Sequence, residues 1–253
     1  MLAATLRQRE QQRQLVELAQ REAHRRAVRG SLAVAQIVGS YQAYNIEATQ
    51  QNAPDVLAEQ GIPADAAASV NARSLLTAPR ASAGMLSKVA NQAAFDRLVA
   101  TLVQDAGRTA AGVDMATRTH VTGYVRALSG SSCARCAVLA GRVYRWSQGF
   151  QRHPNCDCVM LPTTETVGRD LITDPMEAFA QGRIHGLSRA DTKAINSGAD
   201  ISQVVNVRRK QAGLIMGGSV MERAGRLTPA GIFRIASDQA EALTLLRRYG
   251  YVA

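Results

Sequence analysis

All four cysteines of this 253-residue chain fall within one short stretch, "CARCAVLAGRVYRWSQGFQRHPNCDC", which runs from Cys133 to Cys158 and also holds His153. The spacing is Cys-x2-Cys, sixteen residues, then His-x2-Cys-x-Cys. A two-residue spacer turns the backbone back on itself, so that both thiolates of a Cys-x2-Cys knuckle can meet one ion at tetrahedral angles. His153 and Cys156 repeat that spacing, and Pro154 stiffens the second knuckle. The pattern constrains the fold strongly, because it asks two knuckles with a hairpin-sized insert to converge. Cys133, Cys136 and His153 are read as ligands, and the fourth position falls to Cys156 or Cys158. These last two are expected to face opposite ways along an extended segment unless a turn brings both inward.

Mixed thiolate and imidazole donors point to Zn2+. A shell filled by protein donors leaves no place for water, so the expected site is structural rather than catalytic. Three other readings compete. A thioredoxin-like redox pair at Cys133 and Cys136 would need a βαβ setting that the sequence does not suggest. A disulfide framework fits poorly with an N-terminus, "MLAATLRQREQQRQ", that lacks the apolar stretch of a secretion signal. A catalytic zinc would need an open position and a nearby general base, and the closest carboxylate is Asp157, wedged between two cysteines.

Apolar residues make up 46% of the chain but aromatics only 4%, so its core must rest on Ala, Leu, Val and Ile. That composition favours helices. The expected fold is mainly α, with a helical N-terminal region, a small zinc-stabilised hairpin or turn module, and a helical C-terminal region. The corresponding divisions are a basic N-terminal arm at 1–30, a helical region at 31–130, the metal module at 131–162 and a helical region at 163–253. There is no stretch of about 18 apolar residues, so neither a membrane span nor a membrane partner is expected. The N-terminus points to an intracellular start.

Formal net charge is +10, and 27 of the 30 basic residues are arginine. Residues 1–30 carry seven arginines against three glutamates, whereas residues 31–132 balance at seven of each sign. The cysteine window adds Arg135, Arg142, Arg145 and Arg152 against Asp157 alone. Basic clusters of this kind favour polyanions such as nucleic acid.

Residues 5–29 contain neither Gly nor Pro and read as one polar helix with a narrow stripe at Leu15, Leu18 and Ala19. A second helix follows in "LAVAQIVGSYQAYNIEAT", where Tyr41 and Tyr44 are read as packing residues. Pro54, Gly61, Pro63 and Pro79 suggest a broken middle. An amphipathic pattern returns from Leu86 to Val103 with a possible break at Gly107, and the set Val113, Val121, Tyr124, Val125 and Leu128 reads as further helix. "RVYRW" reads as a short strand or hairpin. Ser188 with Asp191 has the spacing of a capping box, Gly198 breaks that helix, and Asp200 caps the next. This helix pair, with Arg208, Arg209 and Lys210 after it, has the outline of a helix-turn-helix, which makes those three cations the candidate nucleic-acid contacts. His24, His120 and His185 read as surface or packing residues. The chain shows no nucleophile elbow, phosphate-binding loop or paired-carboxylate arrangement, so it is expected not to be an enzyme.

The runs "CARC", "LAGRVY" and "HPNCDC" resemble the cysteine-histidine segment of phage Mu protein F-like minor head proteins, in the form found in phages of actinobacteria. "GADISQVVNVRR", "LTPAGIFRIA" and "LLRRYGYV" resemble the C-terminal portion of the same proteins, so the likeness covers the chain from about residue 107 onward. It implies a virion protein assembled in the host cytoplasm, placed in few copies inside the head near the portal. Implied partners are portal or capsid proteins and packaged DNA, bound without sequence preference. The matching metal positions are Cys133, Cys136, His153, Cys156 and Cys158. Some relatives carry a fused protease or toxin domain; this chain has no motif of one, and no activity is carried over. The alternative reading is a zinc-stabilised, sequence-specific DNA-binding regulator.

Overall fold

The computed structural model describes residues 3–65, 79–128, 132–148, 156, 158–207, 227 and 229–249. The expected mainly α character holds among them, with short strands between the helices. The chain divides into two compact units, residues 1–129 with 142–172, and residues 130–141 with 173–253.

In the first unit, α1 (Ala3–Ala27) buries Ala4, Thr5, Gln8, Gln12, Val16, Ala19 and Ala23, spaced three or four apart along one face. This face is smaller and more polar than the expected Leu15–Leu18 stripe, and Leu18 is 42% exposed. Small side chains let the helix lie close to α2 (Ser31–Ala58). Both carboxylate oxygens of Glu59 accept from the Ala4 amide, at 2.9 and 2.8 Å, which places an anion at the helix N-terminus where the dipole favours it. Gly30, with φ of 92°, makes the turn between the two helices. His24 reaches from α1 to Asp96, 2.7 Å away, and its ring lies 5.1 Å from that of Phe95.

Helix α2 runs through Pro54 to Ala58, although a proline there was expected to break it. Val56 and Leu57, both fully buried, anchor the last turn, and that packing outweighs one lost backbone hydrogen bond. Tyr41 and Tyr44 meet edge to face with centroids 5.8 Å apart; Tyr41 packs on the core and Tyr44 is largely exposed. Helix α3 (Pro79–Leu86) is separate from α4 (Gln92–Thr117). The Asn91 side chain accepts from the Ala94 amide and starts α4 afresh, so the Leu86–Val103 pattern spans two helices.

Gly107 does not interrupt α4; it admits α2 instead. A Cβ at Gly107 would sit 2.5 Å from Asn45 Nδ2 and 3.1 Å from Thr49 Oγ1. Asn45 Nδ2 donates to the Val103 carbonyl at 2.8 Å, and Gln42 Nε2 donates to that of Leu102 at 3.0 Å. The two helices are thus joined by a polar seam within an otherwise apolar core of Val34, Val38, Ile46, Val99 and Val103.

Past α4 comes β1 (Gly123–Ala127), the central strand of a three-stranded antiparallel sheet. This corrects the helical reading of Val121–Leu128. Tyr124 pairs with Tyr144 and Val125 with Leu161, and every residue of β1 is buried. Strand β3 is Tyr144–Arg145, where a strand was expected, and β4 is Val159–Thr163. The Tyr124 and Tyr144 rings stack 5.0 Å apart and 8° from parallel. Arg142 and Arg126 lie over the Tyr144 ring at 4.5 and 5.3 Å. Burial pushes the Tyr124 hydroxyl above the usual tyrosine range, against the pull of Arg126.

In the second unit, β2 (Ser132–Cys133) pairs in parallel with β5 (Ile184–His185) and leads directly into α5 (Ala134–Ala140). Ser188 and Asp191 form the expected capping box of α8 (Arg189–Asn196). Gly198, with φ of 94°, ends that segment, and Asp200 caps α9 (Ile201–Asn206). Ile195, Ile201 and Val204 join Ile232 of α10 (Pro229–Ile235) and Leu246 of α11 (Gln239–Arg248) in this unit's core.

Gly107→Ala is expected to destabilise the protein by about 1–3 kcal/mol, because the overpacked methyl group outweighs the roughly 1 kcal/mol that alanine adds to helix propensity. Urea unfolding measures this, and an unchanged or raised midpoint contradicts the close approach of α2 and α4. Asp114 and Arg118 form a buried pair with bonds of 2.7 and 2.9 Å. Asp114→Asn should cost about 3–5 kcal/mol, since it strands a buried guanidinium; a loss below about 1 kcal/mol in the same experiment contradicts that role.

Candidate metal centre

Cys156 and Cys158 stand immediately before β4. Their exposures are 2% and 0%, and their Sγ atoms lie 3.5 Å apart. The expectation that these two residues face opposite ways is corrected. Side chains two residues apart share a face of an extended segment, so Cys-x-Cys presents both thiols to the same side. Cys136 lies in the first turn of α5, in the second unit, and is buried there. Cys133 is the N-cap of that helix, and its Sγ accepts from the Cys136 amide at 3.4 Å. His153, the remaining candidate ligand, lies outside the described residues, as do Arg208, Arg209 and Lys210.

Two buried thiols whose sulfurs lie 3.5 Å apart fit a thiophilic ion. Zinc–sulfur bonds of about 2.3 Å in a tetrahedron place neighbouring sulfurs about 3.8 Å apart, close to the Cys156–Cys158 separation. Sulfur donors suit zinc or another soft ion and not magnesium or calcium.

What holds the Cys156–Cys158 segment is Arg108 of α4, a residue 5% exposed. Its Nε and Nη2 donate to the Cys158 carbonyl at 3.1 and 3.0 Å. The same Nη2 donates to the Cys156 carbonyl. Nη1 meets Asp105 at 3.0 Å, one turn back along the helix. A planar guanidinium offers several donors in fixed directions, so one side chain can bind two carbonyls at once. Sequence reasoning missed Arg108. Its signal is an arginine beside Val99, Leu102, Val103, Ala106, Ala110 and Ala111, the buried face of an amphipathic helix.

The arginines around the cysteines also divide by role. Arg142 covers the Tyr144 ring and Arg145 is exposed on β3, whereas Arg152 lies outside the described residues. No described helix is long and apolar enough to cross a membrane.

No curated protein and no solved structure matches the chain. The VG15 protein family matches residues 2–179, a span that takes in both helices of the polar seam, the sheet and all four cysteines. The chain therefore belongs to the VG15 protein family, a family of phage virion-gene proteins.

Proposed function

We propose that this chain is a structural, non-enzymatic minor head protein of a tailed phage, held together locally by a zinc ion and located inside the head near the portal. The observation that carries the reading is a pair of buried thiols, Cys156 and Cys158, with Sγ atoms 3.5 Å apart, in a chain of a phage virion-gene family whose cysteine spacing offers Cys136 as a further donor. The resemblance of "HPNCDC" and its flanks to Mu protein F-like head proteins supports the finer assignment. Cys136, Cys156 and Cys158 would hold the ion, with His153 or Cys133 as fourth donor. When bound, the ion supplies a cross-link to a segment that has little apolar core of its own. Its role is to fix structure, since a shell of four protein donors leaves no position at which water can be activated.

The net charge of +10 supports contact with packaged DNA without sequence preference. Portal or capsid proteins are the proposed protein partners. A sequence-specific regulator built on α8 and α9 is the rival reading, and location separates the two. Mass spectrometry of purified virions should recover this chain in the particles; recovery from infected-cell lysate alone contradicts the head-protein assignment. Purified wild-type protein should carry one zinc per chain, and Cys136→Ser, Cys156→Ser and Cys158→Ser should each lose most of it, measured by elemental analysis. Full zinc retention in all three variants contradicts the proposed ligand set.

A further inference from the structure

We infer that Arg108 is the positioning residue of the metal centre: it presents the Cys156 and Cys158 thiols together by bonding both of their carbonyls from one buried guanidinium. This rests on the zinc reading above and adds a residue that the cysteine spacing alone does not reveal.

Two residues apart, the side chains of Cys156 and Cys158 share a face, but sharing a face does not fix their separation. A regular strand advances about 3.3 Å per residue, so alternate Cα atoms lie about 6.6 Å apart. Sulfurs that bind one zinc lie only about 3.8 Å apart. The segment must therefore be held so that both thiols lean together, as their 3.5 Å separation shows that they do. Two residues whose carbonyls end on one nitrogen cannot swing independently, and Arg108 Nη2 is that nitrogen. A second bond from Nε to the Cys158 carbonyl fixes the plane of the guanidinium. Asp105 bonds Nη1 and orients the group from its own helix.

Charge acts in the same direction. Zinc with three thiolates and a neutral histidine carries a net charge of −1, and with four thiolates −2. A permanent cation at the backbone of two ligands offsets that charge in a buried setting, where arginine does not deprotonate. Groups that orient metal ligands from behind typically contribute about 10–100-fold to affinity.

The test uses the full chain as wild type, Arg108→Gln and Arg108→Lys. Helical content is followed by circular dichroism, Zn2+ affinity by competition with a chromophoric chelator, and geometry by the absorption of the Co2+-loaded protein. Arg108→Gln should bind Zn2+ about 10–100-fold more weakly than wild type. Arg108→Lys keeps the charge and most of the packing but loses the planar fork, so it should remain folded and recover only part of the affinity. At saturating Co2+, both folded variants should show weaker sulfur-to-cobalt absorption than wild type, a change that lower global stability alone would not produce. If Arg108→Gln does not fold, Arg108→Lys decides: native helicity with wild-type affinity and spectrum overturns the inference. Wild-type protein that binds neither metal overturns the zinc reading as well, whereas wild-type binding undiminished in the folded variants overturns the role of Arg108 alone.

Discussion

The first unit depends on the close approach of α2 and α4. Gly107 leaves room for Asn45 and Thr49, and the Asn45 and Gln42 side chains bind main-chain carbonyls of the facing helix. Such bonds make the packing specific. Apolar residues alone could slide by a turn, but amides aimed at the Leu102 and Val103 carbonyls set one register, and a slip would leave buried polar groups without partners. With α4 held in that register, the side chains along it are delivered to fixed places. Arg108 reaches the cysteine segment, and a turn and a half further on Asp114 holds Arg118 at the helix end.

The candidate metal centre is thus an outgrowth of helix packing. Strand β4 pairs with β1 along its length, from Gly123 opposite Thr163 to Ala127 opposite Val159, and Cys158 is the residue before that ladder begins. Two supports meet at the Cys156–Cys158 segment: the sheet on one side and the Arg108 guanidinium on the other. The backbone of the two cysteines is held by main-chain contacts. Membership of a phage virion-gene family and the metal-ligand spacing are the two supports of the proposed structural role.

Much of the helical content was legible because the signals are local. Ser188 with Asp191, and Asp200, each cap the helix that follows them, and capping needs only the next few residues. Strand β1 was not legible, since Val121, Tyr124, Val125 and Leu128 satisfy a helical period equally well. Its strand state is set by Tyr144 and Leu161, which lie far along the chain. Pro54 misled for a related reason, because the burial of Val56 and Leu57 is tertiary. The metal-ligand spacing could be read from the sequence, and the shared face of Cys156 and Cys158 follows from the two-residue period of extended chain. Arg108 was hidden because a charged residue in a sequence reads as surface, and only the fold shows the carbonyls that draw it inside.

The central claim is that sulfur from this cysteine cluster binds zinc in the folded protein. X-ray absorption at the zinc edge of the purified chain tests it most directly. The account predicts a first shell dominated by sulfur at about 2.3 Å, with at least three sulfurs per zinc. A zinc-free protein, or a first shell made only of nitrogen and oxygen at about 2.0–2.1 Å, would contradict it.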